Sequence, residues 1–329
     1  MKVCIFGAGA IGLLIGARLS ATGAHQVSAV ARGTTLAALK AHGLRVDGAY
    51  GAFAGPVTAS ADPPDLGVQD VVVVAVKAPA LADVARRIAP LLGPRTLIVP
   101  AMNGVPWWFC QGLQGPAAGL ALESVDPGGG IAAHLPIAQV IGCVVHAAAS
   151  VPEPGVAFNQ MGRGLVIGEP HGGVSERVLA LKAAFDAAGF ETTVSEMIQR
   201  DIWYKLWGNM TTNPISAITG ATTDRVIGDE LVRKLTGDAM LESGRIGERL
   251  GFAITQTPAE RHAITRRLGA FKTSMLQDVE AGRAIELDSL VGSVRELGRH
   301  VGVETPLIDA IFGLARLFGQ VHGLYPETR

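Results

Sequence analysis

Residues 2–21, KVCIFGAGAIGLLIGARLSA, join a short β-type run to a helical run through Gly7, Gly9 and Gly12. In a GxGxxG turn the first glycine permits the sharp bend and the second lets a ligand come close to the backbone. The third lets the following helix pack on the strand, so that a pyrophosphate can lie at the helix N-terminus. The pattern alone is weak, but a strand before it and a helix after it are the context the fingerprint requires. The stretch therefore predicts dinucleotide binding through Gly7, Ala8, Gly9, Ala10, Ile11 and Gly12, against the plainer reading of an incidental glycine turn. Lys2 followed by uncharged residues also has the look of a secretion signal, but the regular glycines argue against a cleaved apolar helix.

Outward from this turn, strand-like and helix-like runs alternate as in a parallel sheet wound with helices. Val27 to Ala31 reads as a strand. Val71 to Val76 is a β-branched run suited to burial on both faces, followed by a helix from Ala80 to Leu92 and a strand from Thr96 to Val99. From Ala138 the pattern becomes short strands at Val140 to Ala147, Val156 to Asn159 and Leu165 to Ile167, a helix at Val174 to Ala188 and a strand at Glu191 to Val194. After Glu196 the period changes. Leu231, Leu235, Ala239, Ile246 and Leu250 recur on one helical face with Glu242, Arg245 and Glu248 off it. Further helices are expected at Pro258 to Glu280, Ser289 to His300 and Pro306 to Gly319. The fold class expected is α/β, with an N-terminal Rossmann-like doubly wound domain (residues 1–194) followed by an all-helical C-terminal domain (residues 195–329).

Composition narrows the function classes. The 329 residues suggest about two domains at roughly 150 residues each, and 48% are hydrophobic. Charged residues make up 17%, and 28 Lys plus Arg nearly balance 29 Asp plus Glu. Such a chain has no excess basic charge to hold a phosphate backbone, so no nucleic-acid partner is expected. Cys4, Cys110 and Cys143 form no disulfide framework, and neither they nor the histidines have metal-ligand spacing. A reduced, cytoplasmic protein with no metal and no membrane span is expected.

Individual polar residues mark the expected chemistry. About 20 residues beyond the glycines, an acid suits the ribose 2′-hydroxyl whereas arginine suits a 2′-phosphate. Arg32 stands there, which predicts NADPH over NADH; its alternative is a solvated loop residue. Lys77 and Asn103 each follow a buried strand, where ligands of open α/β sheets bind. Lys205, Asn209 and Asn213 are spaced by four and share one helical face, in a stretch made apolar by Trp203, Leu206 and Trp207. They form either a site or a helix–helix hydrogen-bond network.

The chain resembles the ketopantoate reductase (2-dehydropantoate 2-reductase) family. The resemblance rests on GAGAIG at residues 7–12, Val76-Lys77-Ala78, Asn103-Gly104, Lys205-Leu206 with Asn209 and Asn213-Pro214, Ser274 to Asp278, and Glu286-Leu287-Asp288. These occur in family order across nearly the whole chain. The resemblance implies NADPH-dependent reduction of a 2-oxo acid, most simply 2-dehydropantoate to pantoate in the pantothenate route to coenzyme A, by a monomer or homodimer. It implies Lys205 as general acid, with Glu286 also catalytic. Asn103, Lys205, Asn209, Asn213 and Ser274 are then substrate-binding, and Arg32, Lys77, Asn103, Ala148 and Glu286 join the glycine turn in cofactor binding.

Some features depart from the family pattern. Trp107, Trp108 and Phe109 follow Asn103-Gly104, Asp126 to Gly130 reads as an extra flexible loop, and Thr223 replaces an asparagine. The aromatic run is either core packing or a pocket wall shaped for another 2-oxo acid. The alternatives retained are a reductase of a different 2-oxo acid, a related dehydrogenase of a hydroxy acid or sugar phosphate, and an NADPH-sensing protein without turnover.

Overall fold

The computed structural model describes residues 1–327. The chain divides into two compact units. One comprises Met1–Asn103 and Gly128–Asp201, the other Gly104–Pro127 and Ile202–Arg329. The change of hydrophobic period near 194 does not register that residues 104–127 belong with the helical unit.

In the first unit, strands β1 (Lys2–Phe6) and β2 (Gln26–Val30) flank helix α1 (Ala10–Ala21) in sequence. Helix α2 (Gly33–His42) and the short strands β3 (Leu44–Gly48), β4 (Phe53–Gly55) and β5 (Thr58–Ser60) follow, none of which the sequence patterning resolves. Then come β6 (Val71–Val74), helix α3 (Leu81–Arg87) and β7 (Leu97–Pro100). Pro90 ends the longer helix expected there, because a proline cannot donate into an α-helix, and a 3₁₀ turn replaces its last part. These strands form a wholly parallel sheet in the order β5-β2-β1-β6-β7. Val71–Val74 are buried throughout, as a strand covered on both faces requires.

A second, mixed sheet contains β8 (Gly142–Glu153), β9 (Val156–Gly168) and β10 (Glu191–Val194), with helix α4 (Glu176–Ala187) before the last strand. Its order is β10-β9-β3-β4, and β8 pairs antiparallel with β9. The two short strands expected within 156–167 are one strand. β8 bends through register shifts around Ala148, so β9 runs unbroken while its hydrophobic alternation does not. Helix α1 packs between the two systems, and its Arg18 is only 2% exposed. That guanidinium is lodged over the rings of Phe53 and Phe190.

The helical unit takes in most of α5 (Ile198–Thr219), then α6 (Thr223–Gly228), α7 (Glu230–Arg249), α8 (Pro258–Arg266), α9 (Ser274–Glu280), α10 (Ser293–His300) and α11 (Pro306–Val321). The single helix expected over Pro258 to Glu280 is two, separated by a turn in which Gly269 has φ +64°. On α7 two expectations fail. Leu231 is 73% exposed, and Glu242, expected on the solvent face, is 4% exposed. The Glu242 carboxylate accepts hydrogen bonds from Leu307 N and Ile308 N, each at 3.0 Å, and so caps the first turn of α11. Residues 104–127 are anchored here by an aromatic cluster in which Phe109 lies 6.2 Å from Trp203 and 5.9 Å from Phe252 between ring centroids.

Candidate active site

The glycine turn is built as its spacing requires. Gly7 has φ +103°, and a Cβ there would lie 2.6 Å from Val76 Cγ1 and 2.8 Å from the Ala75 carbonyl oxygen. A Cβ on Gly12 would stand 2.1 Å from the Gly7 carbonyl oxygen, so only glycine lets α1 settle on β1. Gly9 is different: its nearest neighbour would be the Ala75 oxygen at 4.0 Å. The space over Gly9 is open, and Gly9 is the N-cap of α1 with no side chain reaching the free N–H groups of the first turn. That is the cradle a pyrophosphate needs. It also lies where β1 sits between β2 on one side and β6 on the other, the crossover point at which open sheets bind ligands.

Beside it a cavity of about 240 Å³ is lined by Gly7, Ala8, Arg32, Thr35, Val76 and Asp83, among others. Its size suits part of a dinucleotide. Arg32 caps α2 and is 65% exposed, with Nη2 2.8 Å from Asp83 Oδ2. Arg86 and Arg87 also lie 3.6 Å from this carboxylate. The Arg32 hydrogen bond, with the charges of all three arginines, holds the Asp83 carboxyl below its usual range. Arg32 and Arg87 line the cavity together with this one carboxylate and leave net positive charge there. Asp83 escaped the sequence reading because nothing in α3 marks it; its spacing of three and four to Arg86 and Arg87 is ordinary helix pairing.

The other cofactor candidates of this unit occupy strand ends. Lys77 follows β6 and caps a 3₁₀ turn, and Asn103 stands three residues beyond β7. Both share the carboxyl edge with the glycine turn and Arg32, because the sheet is parallel throughout. Ala148 lies instead in the second sheet, at the irregular centre of β8.

In the helical unit, Lys205, Asn209 and Asn213 project from one face of α5. Trp203, Leu206, Trp207 and Met210, on the remainder, are buried. The Trp207 indole N–H donates to the Met240 carbonyl at 2.6 Å, which fixes the helix rotation. Lys205 and Asn209 are half-buried, whereas Asn213 is 5% exposed. Pro214 lies inside the helix next to Asn213 and cannot return a hydrogen bond to the Met210 carbonyl. Ser274 opens α9 directly after its N-cap Thr273, whose hydroxyl accepts from Leu276 N. Glu286 is 4% exposed, between the buried Ile285 and Leu287.

The Asn103-Gly104 step acquires a structural reason in this unit. Gly104 has φ +86°, and a Cβ would stand 2.6 Å from the Ser289 carbonyl oxygen. Val105 N donates to that oxygen at 2.9 Å, tying the strand-following segment to the turn Asp288–Gly292, two residues beyond Glu286.

Comparisons with known proteins follow the same division. Residues 3–107 match the family model described as Ketopantoate reductase PanE/ApbA, and residues 197–318 match its C-terminal counterpart. A 2-dehydropantoate 2-reductase of Mesorhizobium japonicum is 44% identical over 325 residues, covering 99% of this chain and 100% of that one. The chain belongs to the ketopantoate reductase family. A crystal structure from Ralstonia solanacearum MolK2 is 51% identical, with a TM-score of 0.93 over 98% of this chain and 99% of that one. A PanE/ApbA family ketopantoate reductase from Ralstonia eutropha JMP134 is 26% identical at TM-score 0.83, over 98% and 100% of the two chains.

Within this family, two departures have a structural explanation. Trp107, Trp108 and Phe109 are 2%, 1% and 0% exposed, so the run packs as core. Thr223 is 3% exposed, and its hydroxyl donates to the Gly269 carbonyl at 2.9 Å, which ties α6 to the turn after α8. In the extra segment Asp126 is buried, and Pro127–Gly129 forms a 3₁₀ turn. Among the described residues no group of histidine, cysteine, aspartate and glutamate has the arrangement of a metal site, and no helix is long and apolar enough to cross a membrane.

Proposed function

We propose that this protein is an NADPH-dependent reductase of a 2-oxo acid, with 2-dehydropantoate as substrate and pantoate as product. One observation carries the reading: the 44% identity to a 2-dehydropantoate 2-reductase extends over both units, and so over the glycine turn and the Lys205 face alike. NADPH, when bound, supplies the hydride that adds to the carbonyl carbon. The Gly7 to Gly12 turn holds the pyrophosphate, Arg32 meets the 2′-phosphate, and Lys77, Asn103, Ala148 and Glu286 complete the cofactor contacts.

Hydride addition builds negative charge on the substrate's carbonyl oxygen. The Lys205 ammonium stabilises that charge and then donates its proton to the oxygen, which leaves a 2-hydroxy acid and a neutral amine to be reprotonated from solvent. Asn103, Asn209, Asn213 and Ser274 hold the substrate's oxygens by hydrogen bonds, and Glu286 supports the proton transfer. A second reading, a reductase of a different 2-oxo acid, draws on Thr223, whose short side chain stands where the family pattern has an asparagine. Loss of NADPH absorbance, followed across ketopantoate and branched, linear and aromatic 2-oxo acids, tests both. Ketopantoate should be turned over fastest. A different preferred acid favours the second reading, and NADPH binding without turnover of any acid overturns both in favour of a cofactor-sensing protein.

A further inference from the structure

Helices α7 and α8 of the helical unit border a second cavity, of about 300 Å³, which is the lower end of the range for small-molecule sites. None of the residues lining it belongs to the glycine turn or to the Lys205 face. Its charges do not balance: Arg233, Lys234 and Arg266 contribute three cations and Asp238 a single carboxylate. Lys234 takes that carboxylate, at 2.6 Å. Arg233 donates from Nη1 to the carbonyls of Ile227 and Gly228 and has no acidic partner. The Arg266 side chain makes no hydrogen bond or ion pair among the described residues.

His262, on α8 and 6% exposed, lines the same cavity. Its tautomer follows from its neighbour. The Thr236 hydroxyl has one proton, which it donates to the Arg233 carbonyl at 2.9 Å. In the 3.1 Å contact between Thr236 Oγ1 and His262 Nε2 the imidazole is therefore the donor. The neutral ring is left with Nδ1 as a bare acceptor, which no donor among the described residues meets. The ring edge between the two nitrogens faces α7, for a Cβ on Gly237 would stand 3.5 Å from His262 Cε1. The charges around the ring are Arg233, Lys234 and Asp238 on α7 and Arg261 and Arg266 on α8. Of these, Arg261 lies over the Tyr204 ring instead of lining the cavity.

We propose that this cavity binds a phosphate monoester with a small apolar body, and that one proton is taken up with it, held between a phosphate oxygen and His262 Nδ1. The two charges of the ligand answer the cationic excess, and Arg233 and Arg266 approach from different helices. The proton decides between anions. A phosphate monoester has its second pKa at about 6, so it can share a proton with an imidazole near neutral pH, whichever of the two atoms holds it. A carboxylate, with a pKa of about 4, brings one charge and no proton. The balance is simple: neutral protein, phosphate dianion and one proton from solvent give the complex, and the only bond formed is N–H or O–H. Leu241 and Pro258 supply the apolar wall for the ligand's body.

Isothermal titration calorimetry of the full-length protein with phenyl phosphate tests this. Saturable one-to-one binding is expected, with uptake of up to about one proton, read from the dependence of the heat on the ionisation enthalpy of the buffer. Affinity should rise by up to about tenfold per unit as the solution goes from about pH 8 to about pH 6.5. Arg266 is exposed and has no partner to lose, so Arg266→Gln should keep the wild-type melting temperature and weaken phenyl phosphate at least about tenfold. His262→Gln should bind without proton uptake. In wild-type protein labelled with ¹³C at histidine Cε1, the His262 resonance should shift on addition of phenyl phosphate and titrate at a higher pH than in the free protein. Arg32→Ala, which removes the 2′-phosphate contact proposed for the other unit, should leave this binding unchanged. Absence of saturable binding at millimolar phenyl phosphate overturns the proposal, as does binding that is lost in Arg32→Ala and kept in Arg266→Gln. Binding without proton uptake in the wild-type protein overturns the role of His262. Benzoate bound as tightly as phenyl phosphate overturns the choice of phosphate, and inorganic phosphate bound as tightly overturns the apolar body.

Discussion

On the proposed reading, the glycine turn of the first unit and the α5 face of the second carry their function in different materials. Around Gly7, Gly9 and Gly12 the work is done by backbone: a positive φ, a carbonyl that excludes a Cβ, and the free N–H groups of a helix end. Along Lys205, Asn209 and Asn213 it is done by side chains on an otherwise ordinary buried helix. Backbone function demands glycine at fixed spacing and so writes itself into a single sequence. Side-chain function on a helix shares its period with packing, and a face of lysine and asparagine reads equally as a hydrogen-bond network until the family pattern is laid over it.

The largest expected effect tests the side-chain half of that contrast. Lys205→Ala should lower kcat by about 10²- to 10⁴-fold, the range for a lost general acid, while NADPH titration of the folded variant gives an unchanged Kd. A wild-type rate would transfer the proton to another group, with Glu286 acting through water the next to test. The backbone half is tested by paired alanines. Gly12→Ala must push apart a carbonyl and a helix, and should cost about 1–3 kcal/mol in denaturant unfolding. Gly9→Ala meets nothing in the protein itself, so it should keep wild-type stability and weaken NADPH and NADH equally. If Gly9→Ala destabilises the fold as much as Gly12→Ala does, the open space over Gly9 is not a ligand cradle.

On the proposed reading Arg32 is the side chain by which the backbone-built unit selects its cofactor, and Arg32→Ala sharpens the comparison. Losing a charge-assisted contact worth about 1.5–3 kcal/mol should weaken NADPH by about ten- to a hundredfold and leave NADH nearly unchanged. Asp83→Asn should act in the opposite direction, since it removes the carboxylate that competes with a 2′-phosphate for the same guanidinium groups. Glu242 supplies the counter-case in the helical unit, a conspicuous buried charge with a purely structural task. Glu242→Ala should cost about 1–3 kcal/mol by stranding two backbone donors, with kcat unaffected. The smallest effect concerns His262. Burial, together with the positive charges of Arg233, Arg266 and Arg261, lowers its pKa below the ordinary 6.5. The unfolded chain therefore takes up this proton first. The contribution to stability is complete above pH 6.5 and declines as pH falls from there towards the folded value. Melting curves of wild type and His262→Gln through that window should converge on the acid side.

What the sequence discloses follows the same line. The β-branched run at Val71 to Val74, the alternation of strands and helices and the GxGxxG turn suffice for the doubly wound unit, because each is a local pattern with a local cause. The short strands β3 to β5 stay hidden, since LRVDG, FAG and TAS lack the continuous apolar or β-branched run that marks β2 and β6. Leu231 and Glu242 exchange their expected places because helix amphipathicity records only an average. Glu242 is buried by its hydrogen bonds to Leu307 and Ile308, which lie far along the chain. The Arg32–Asp83 contact is illegible for the same reason: the two residues are brought together by the sheet, not by spacing.

The membership of residues 104–127 in the helical unit also bears on how the chain is made. Phe109 leaves a ribosome well before its partners, for Trp203 follows 203 − 109 = 94 residues later. At synthesis rates of about 5–20 residues per second, Phe109 waits for roughly 5–20 seconds until Trp203 is made. During that interval the aromatic run Trp107 to Phe109, buried in the finished protein, is a natural client for a chaperone. A chain cut after the first unit would never release it.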